Sequence, residues 1–256
     1  MDTQPMKPGP GWSSLLCLCL LAAITTPVTG AEEQASTPVW TLGAEVDANN
    51  RYLWRGMAFS EGAVYQPSLN LGRGVWSVNA WANVDPNVLV GPQLNELDAT
   101  LSASTEWRGW SFEPSAMVYS YPGTGSAVTA EAQLGIRRAF GAWTPYTIHS
   151  VDLIEARGAA YSALGVSFER PIFRDSNVEL NAEYGRGWWR FASSYADPAL
   201  EGMNVWSAGL SSTIALADGV SLRPHVGWNQ VGNRQVREFI SGPSPFTFGF
   251  ALGREF

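Results

Sequence analysis

The sequence predicts an all-β fold, a transmembrane antiparallel β-barrel of about twelve strands with short periplasmic turns and longer extracellular loops. Three observations carry that expectation. Polar and apolar residues alternate with period two from Trp40 onward. Beyond the amino terminus no apolar run approaches the roughly 18 residues a membrane helix needs, so apolarity is spread thinly along the chain. The chain also closes on PFTFGFALGREF, with Phe246, Phe248, Phe250 and Leu252 at every second position and Phe256 last.

The first strand reads Trp40, Leu42, Ala44, Val46, Ala48, Tyr52 and Trp54 on one face, against Thr41, Gly43, Glu45, Asp47, Asn49 and Arg51 on the other. Its aromatic ends, Trp40 and the Tyr52/Trp54 pair, stand about 12 to 14 residues apart, which suits the two interfacial girdles of an outer-membrane barrel. Trp107, Trp110 and Trp143 join the same set of expected interfacial anchors. Hairpins follow: 63–72 turns at Arg73-Gly74 into 75–85, 96–107 turns at Arg108-Gly109 into 110–121, and 128–138 turns at Phe140-Gly141-Ala142 into a strand from Trp143. Strands at 161–169, 178–184, 204–214, 220–229 and 246–256 complete the series. The longer links, 56–62, 86–95, 122–127, 152–158, 185–202 and 231–245, alternate with the short ones and so belong outside the cell, leaving both termini in the periplasm. A soluble β-sandwich would also use short strands, but tryptophans bracketing the strands argue for an interface.

Composition agrees. Only 15% of the 256 residues are charged, against roughly 25% in an average soluble domain, and the formal net charge of -7 lacks the basic footprint a nucleic-acid partner needs. Lys7, the apolar stretch 15–24 and the small residues Val28, Gly30 and Ala31 read as a signal peptide over 1–30, cut after Gly30 or Ala31. Residues 31–38 are then a short periplasmic segment and 39–256 the barrel. Cys17 and Cys19 lie inside the apolar stretch and leave with it, so the mature chain holds no disulfide. Export through that signal implies the outer membrane of a Gram-negative bacterium.

The inward face is the informative one. Lumen candidates are Glu45, Asp47, Arg51, Arg55, Asp85, Glu96, Asp98, Glu106, Glu113, Glu131, Arg137, Glu179, Glu183, Arg223 and His225. Ionisable groups in such number need water or mutual pairing, so a hydrated lumen follows. Their acidic excess points to weak cation preference. Arg51 and Arg55, at the extracellular end of the first strand, suit a constriction or a lipopolysaccharide phosphate. Pairing with lumen carboxylates such as Glu45 or Asp47 is the favoured reading, because a narrow barrel needs its inward charges matched.

RYLWRG at 51–56, YQPSLNL at 65–71 and WANVD at 81–85 resemble the opening hairpins of the TorF-type porins, uncharacterised proteobacterial outer-membrane proteins. That resemblance covers roughly the first fifth of the chain and implies a barrel with a channel role, with no catalytic residue or substrate to carry over.

No metal, cofactor or catalytic motif is expected; HExxH, GxSxG and Walker patterns are absent. The histidines are His149 and His225. His149 and Asp152 differ by an odd number and so face opposite sides of one strand. Lipid-hydrolysing barrels place their catalytic groups on outer strand faces, which the expected Leu, Val and aromatic pattern does not supply. Trp188 and Trp189 fit the girdle better than a sugar-stacking platform. Phe246, Phe248, Phe250, Leu252 and Phe256 read as a lipid face and a signal to the barrel-insertion machinery, with Arg254 snorkelling to headgroups. The expected function is passive diffusion of small hydrophilic solutes in contact with outer-membrane lipids and lipopolysaccharide; a closed-lumen structural or adhesive barrel is the alternative, ahead of an outer-membrane lipid hydrolase.

Overall fold

The computed structural model describes residues 39–256 except 61, 88–92, 174–175, 198, 235–236, 238–239, 241 and 243. The expected signal and the segment 31–38 lie outside the described residues. In chain order the strands are β1 (Trp40–Asn49), β2 (Tyr52–Trp54), β3 (Met57–Ser60), β4 (Val64–Arg73), β5 (Trp76–Val84), β6 (Leu94–Ala103), β7 (Thr105–Trp107), β8 (Trp110–Ser120), β9 (Thr129–Arg137), β10 (Trp143–Asp152), β11 (Ala160–Phe173), β12 (Ser176–Gly187), β13 (Met203–Ala217), β14 (Val220–Val231) and β15 (Phe246–Glu255), with helix α1 (Trp189–Tyr195) between β12 and β13.

Successive wall strands pair antiparallel, and β1 meets β15 with Gly43 opposite Glu255 and Asn49 opposite Gly249. The sheet therefore closes into a 12-strand barrel in which β7 extends β6 past a break at Ser104, both pairing with β8. Closure is what hydrocarbon demands, since an open edge would leave backbone N–H and C=O groups with neither water nor a partner. The pleat then divides each strand between lipid and lumen. On β15 Phe246, Phe248, Phe250 and Leu252 are each more than half exposed on the outside, while Ala251 is buried inside. The Phe256 N–H bonds to the Leu42 carbonyl at 2.9 Å, and the Arg254 guanidinium lies 4.9 Å from the Phe256 ring, outside the wall as its register requires.

Aromatic side chains ring both ends. Trp40, Trp76, Trp107, Trp110, Phe140, Trp143 and Phe256 are exposed at the short-turn end; Tyr65, Trp188, Trp206 and Phe246 are exposed at the loop end. Tyr52 and Trp54 depart from the expected anchors, and both are buried. The cause is that β1 ends at Asn49 rather than running on to Trp54. The Asn50 N–H bonds to the Phe248 carbonyl at 3.0 Å and the Asn50 side chain accepts from the Phe248 N–H at 2.8 Å, which satisfies β15 and releases the chain from the wall. Released, residues 52–60 form the β2–β3 hairpin and fold into the barrel mouth.

Candidate functional site

The hairpin turns on Arg55 and Gly56, both with positive φ (46° and 82°), the left-handed pair a two-residue turn requires. Gly56 is needed twice over: a Cβ there would also stand 2.7 Å from a Val231 methyl. Arg55 has no such licence as a non-glycine residue, and the packing around it holds it in place. Its guanidinium makes a two-pronged contact with Glu131 on β9, at 3.0 Å to Oε1 and 2.9 Å to Oε2, and donates to the Ser150 hydroxyl on β10 at 2.8 Å. Tyr119 donates to the same carboxylate at 3.3 Å. The aromatic faces of Trp54, Tyr161 and Phe191 surround the cation at 4.3, 4.4 and 5.3 Å. Arg55 and Glu131 are only 5% and 1% exposed, so the pair is desolvated and held by matched geometry.

Around this ion pair the mouth is filled by side chains. Trp54 meets Phe191 and Tyr195 of α1 with ring centroids 5.7 Å apart in each case, and Phe191 meets Tyr161 at 5.4 Å. Tyr52 meets Trp81 of β5 at 5.6 Å. Met57, Met203, Val205 and Val231 close the remaining space. Glycine at 185 makes room for Tyr161, whose hydroxyl a Cβ would overlap. Asp152, at the top of β10, ties the loops together: it accepts from Thr129 at 2.6 Å, from the Tyr195 hydroxyl at 2.8 Å, and from the backbone N–H groups of Ile154 and Ala156 at 2.9 and 3.0 Å. Burial, and then the charges of Glu131 and Asp152, push the Tyr195 phenol above its ordinary range, so it serves Asp152 as a proton donor.

Toward the membrane's middle the inner wall is polar. A cavity of about 150 Å³ is bounded by Asp47, Arg51, Arg55, Glu179, Glu183, Arg223 and His225, among others. Arg223 pairs with Glu45 at 2.7 Å, His225 with Asp47 at 2.9 Å, and Arg137 with Glu113 at 3.7 Å. Arg55 thus pairs with a lumen carboxylate, Glu131, while Glu45 and Asp47 are taken by Arg223 and His225. β14 lies beside β15, two strands from β1, and its Arg223 and His225 reach those carboxylates first, while Arg51 is drawn to the Ser244 carbonyl and Arg55 to Glu131. Glu96, Asp98, Glu179 and Glu183 form no ion pair among the described residues. Tyr146 donates to Glu183 at 3.1 Å, and both Asp98 oxygens are buried without a hydrogen bond. Asp85 serves the β5–β6 loop instead, accepting from the Asn87 backbone at 2.8 Å. Glu106 keeps the inward register past the break at Ser104, opposite Ser111 and 3.5 Å from its hydroxyl, and sits exposed at the periplasmic rim.

The outer wall departs from expectation near the loops. His149 does face away from buried Asp152, as its odd spacing demands, and on β9 it meets the expected apolar neighbour, Leu134, but on β11 it does not. There its cross-strand partner is Ser162, whose own partner on the far side is Arg186, followed by Asn204. The sequence carries that row as isolated polar residues at strand ends, and only register aligns them.

Neither a family model nor a curated protein matches the chain. Among solved structures it is similar to the NanC porin, at 7% identity and a TM-score of 0.50 over 83% of this chain and 98% of that one. It is also similar to the KdgM porin, at 9% identity and a TM-score of 0.47 over 84% and 98% of the two chains. An outer-membrane channel from Pseudomonas putida F1 matches at 11% identity and a TM-score of 0.48 over 90% and 100%. At these identities the likeness concerns fold alone, a closed antiparallel β-barrel.

Proposed function

We propose that the chain is an outer-membrane channel for passive diffusion of small hydrophilic solutes, weakly selective for cations, with its extracellular half narrowed by the β2–β3 hairpin. The observation that carries this reading is the charged inner wall. Carboxylates remain there after Arg55, Arg137, Arg223 and His225 have found their partners, around a cavity beneath the hairpin. An acidic excess in a low-dielectric passage favours entering cations. Glu96, Asp98, Glu179 and Glu183 are the residues assigned that role, with Glu45, Asp47, Glu113, Arg137, Arg223 and His225 setting the width.

The specific observation favouring the closed-lumen alternative is the fully buried aromatic plug around Trp54. Single-channel recording in planar bilayers separates the two, using the mature chain and a variant in which 51–60 are replaced by a short Gly/Ser linker. Conductance in the mature chain is the expected result. Silence in both refutes the channel; silence in the mature chain with conductance in the variant makes it a barrel closed at rest.

Kinship with the TorF-type porins belongs to this reading, and the residues behind it meet in space. RYLWRG forms the hairpin, and Trp81 of WANVD packs on its Tyr52. Further parts of the proposal are export from a Gram-negative cytoplasm by a signal over 1–30, insertion by the barrel machinery through Phe256, and contact of the loop-end girdle with lipopolysaccharide.

A further inference from the structure

On the lipid-facing side of β10, β11 and β12, close below the loops, a set of polar side chains is wired in one direction. Thr147 gives its hydroxyl proton to the Ala163 carbonyl at 2.8 Å, so toward His149 Nε2, 3.1 Å away, its oxygen acts as acceptor. Nε2 therefore carries the imidazole proton, which leaves Nδ1 as a bare lone pair. Nδ1 lies 2.9 Å from Ser162 Oγ and accepts its proton. The Trp188 indole N–H donates to the same Oγ at 3.1 Å. Arg186, the cross-strand neighbour of Ser162, donates to Asn204 Oδ1 at 2.6 Å, and Asn204 also accepts from Tyr184 at 2.8 Å. His149 and Trp188 are exposed to the bilayer.

Such a cluster is costly where hydrocarbon is expected, and its height explains how it is tolerated. His149 is three residues from the end of β10, Ser162 two from the start of β11, and Arg186 one from the end of β12. At about 3.3 Å per residue along a tilted strand, the dyad lies roughly 5–10 Å below the rim, where headgroups give way to acyl esters.

We propose that Ser162 and His149 are a nucleophile and general base that hydrolyse acyl esters of outer-leaflet lipids. Ser162 Oγ attacks the ester carbonyl carbon as its proton passes to His149 Nδ1. The tetrahedral intermediate collapses, the carbon–oxygen bond to the alcohol breaks, and the departing oxygen takes the proton from Nδ1. Water then attacks the acyl-serine, gives a proton to Nδ1, and releases a fatty acid as that proton returns to Ser162. The indole N–H of Trp188 lies against Ser162 and is the available donor to the developing oxyanion, while Thr147 is a positioning residue that fixes the imidazole tautomer.

The test uses the full mature barrel in mixed phospholipid–detergent micelles and a biotinylated fluorophosphonate, which forms a stable bond only with an activated serine. The expected result is covalent labelling mapped to Ser162 by peptide mass, accompanied by fatty-acid release. Both should be abolished in Ser162→Ala and reduced by about 10²-fold or more in His149→Ala. Thr147→Val should lower labelling and shift its pH profile, which a purely structural threonine would not do. Heat-modifiable migration on gels reports that each variant retains its barrel. A folded wild type that takes no label, or a label that survives Ser162→Ala, overturns the proposal. Single-channel conductance is independent of both outcomes, so this proposal and the channel reading fail separately.

Discussion

Replacing Glu131 with glutamine keeps the shape of the plug and removes the charge that Arg55 was built to meet. The N–O distances of 2.9 and 3.0 Å put the charge centres about 4 Å apart, which at an effective dielectric of 20 corresponds to about 4 kcal/mol. Mutational experience with buried pairs, about 3–5 kcal/mol for removing one partner, agrees. Ser150 and the three aromatic faces still hold the guanidinium, so this is an upper figure. Burial of Tyr52, Trp54 and Met57 opposes release by about 1.5–3 kcal/mol each. The hairpin therefore remains docked in Glu131→Gln, but its undocked population rises by up to about a thousandfold. Single-channel recording should show that rise as more frequent openings, and limited proteolysis should show it as faster cleavage within 51–60. Arg55→Met combined with Glu131→Met removes both charges and should restore the wild-type closed time, because an apolar pair of similar volume costs little in place of an ionic one. Unchanged opening and cleavage in Glu131→Gln, or a double variant more open than the single one, would refute the latch.

Trp54→Ala should cost about 3–5 kcal/mol of plug stability, visible as protease sensitivity in the extracellular loops while the heat-modifiable barrel band persists. Gly56→Ala meets both the positive φ and the Val231 methyl, so we expect the hairpin to loosen by about 1–3 kcal/mol in the same cleavage assay. The raised Tyr195 phenol favours the neutral form in the folded plug, so its contribution is fully present below the ordinary phenol pKa of about 10 and declines as pH rises above it. Loop protection should be level from pH 7 to about 9 and fall more steeply above pH 10 in the wild type than in Tyr195→Phe. Glu179→Gln with Glu183→Gln should move the zero-current potential in a KCl gradient toward that of an unselective pore; no movement would detach selectivity from these carboxylates.

How much of this was legible depended on whether a feature is local. Alternation from Trp40, the Arg108-Gly109 turn and the outward phenylalanines of the last strand are local patterns. With lipid as solvent they admit one outcome, because strands in hydrocarbon must close. Parity likewise put His149 and Asp152 on opposite faces of one strand. Tyr52 and Trp54 were misassigned for the same reason that the rest was assigned correctly. Their spacing continues the period of β1, and nothing between Asn49 and Tyr52 announces that the chain leaves the wall.

By itself, then, the sequence determined a barrel, the polarity of its two faces and the alternation of turns with loops. Only the tertiary structure decided what fills the mouth and which polar groups meet. Arg55 and Glu131 stand 76 residues apart and Arg223 and Glu45 178 apart, so their pairing follows from strand order and loop path. His149 and Ser162 meet because β10 and β11 pair in one register; a slip of a single residue would turn one of the two to the other face of the wall and separate them. Periodicity is written in neighbouring residues, whereas register and loop trajectory are settled by contacts that form once the sheet has closed.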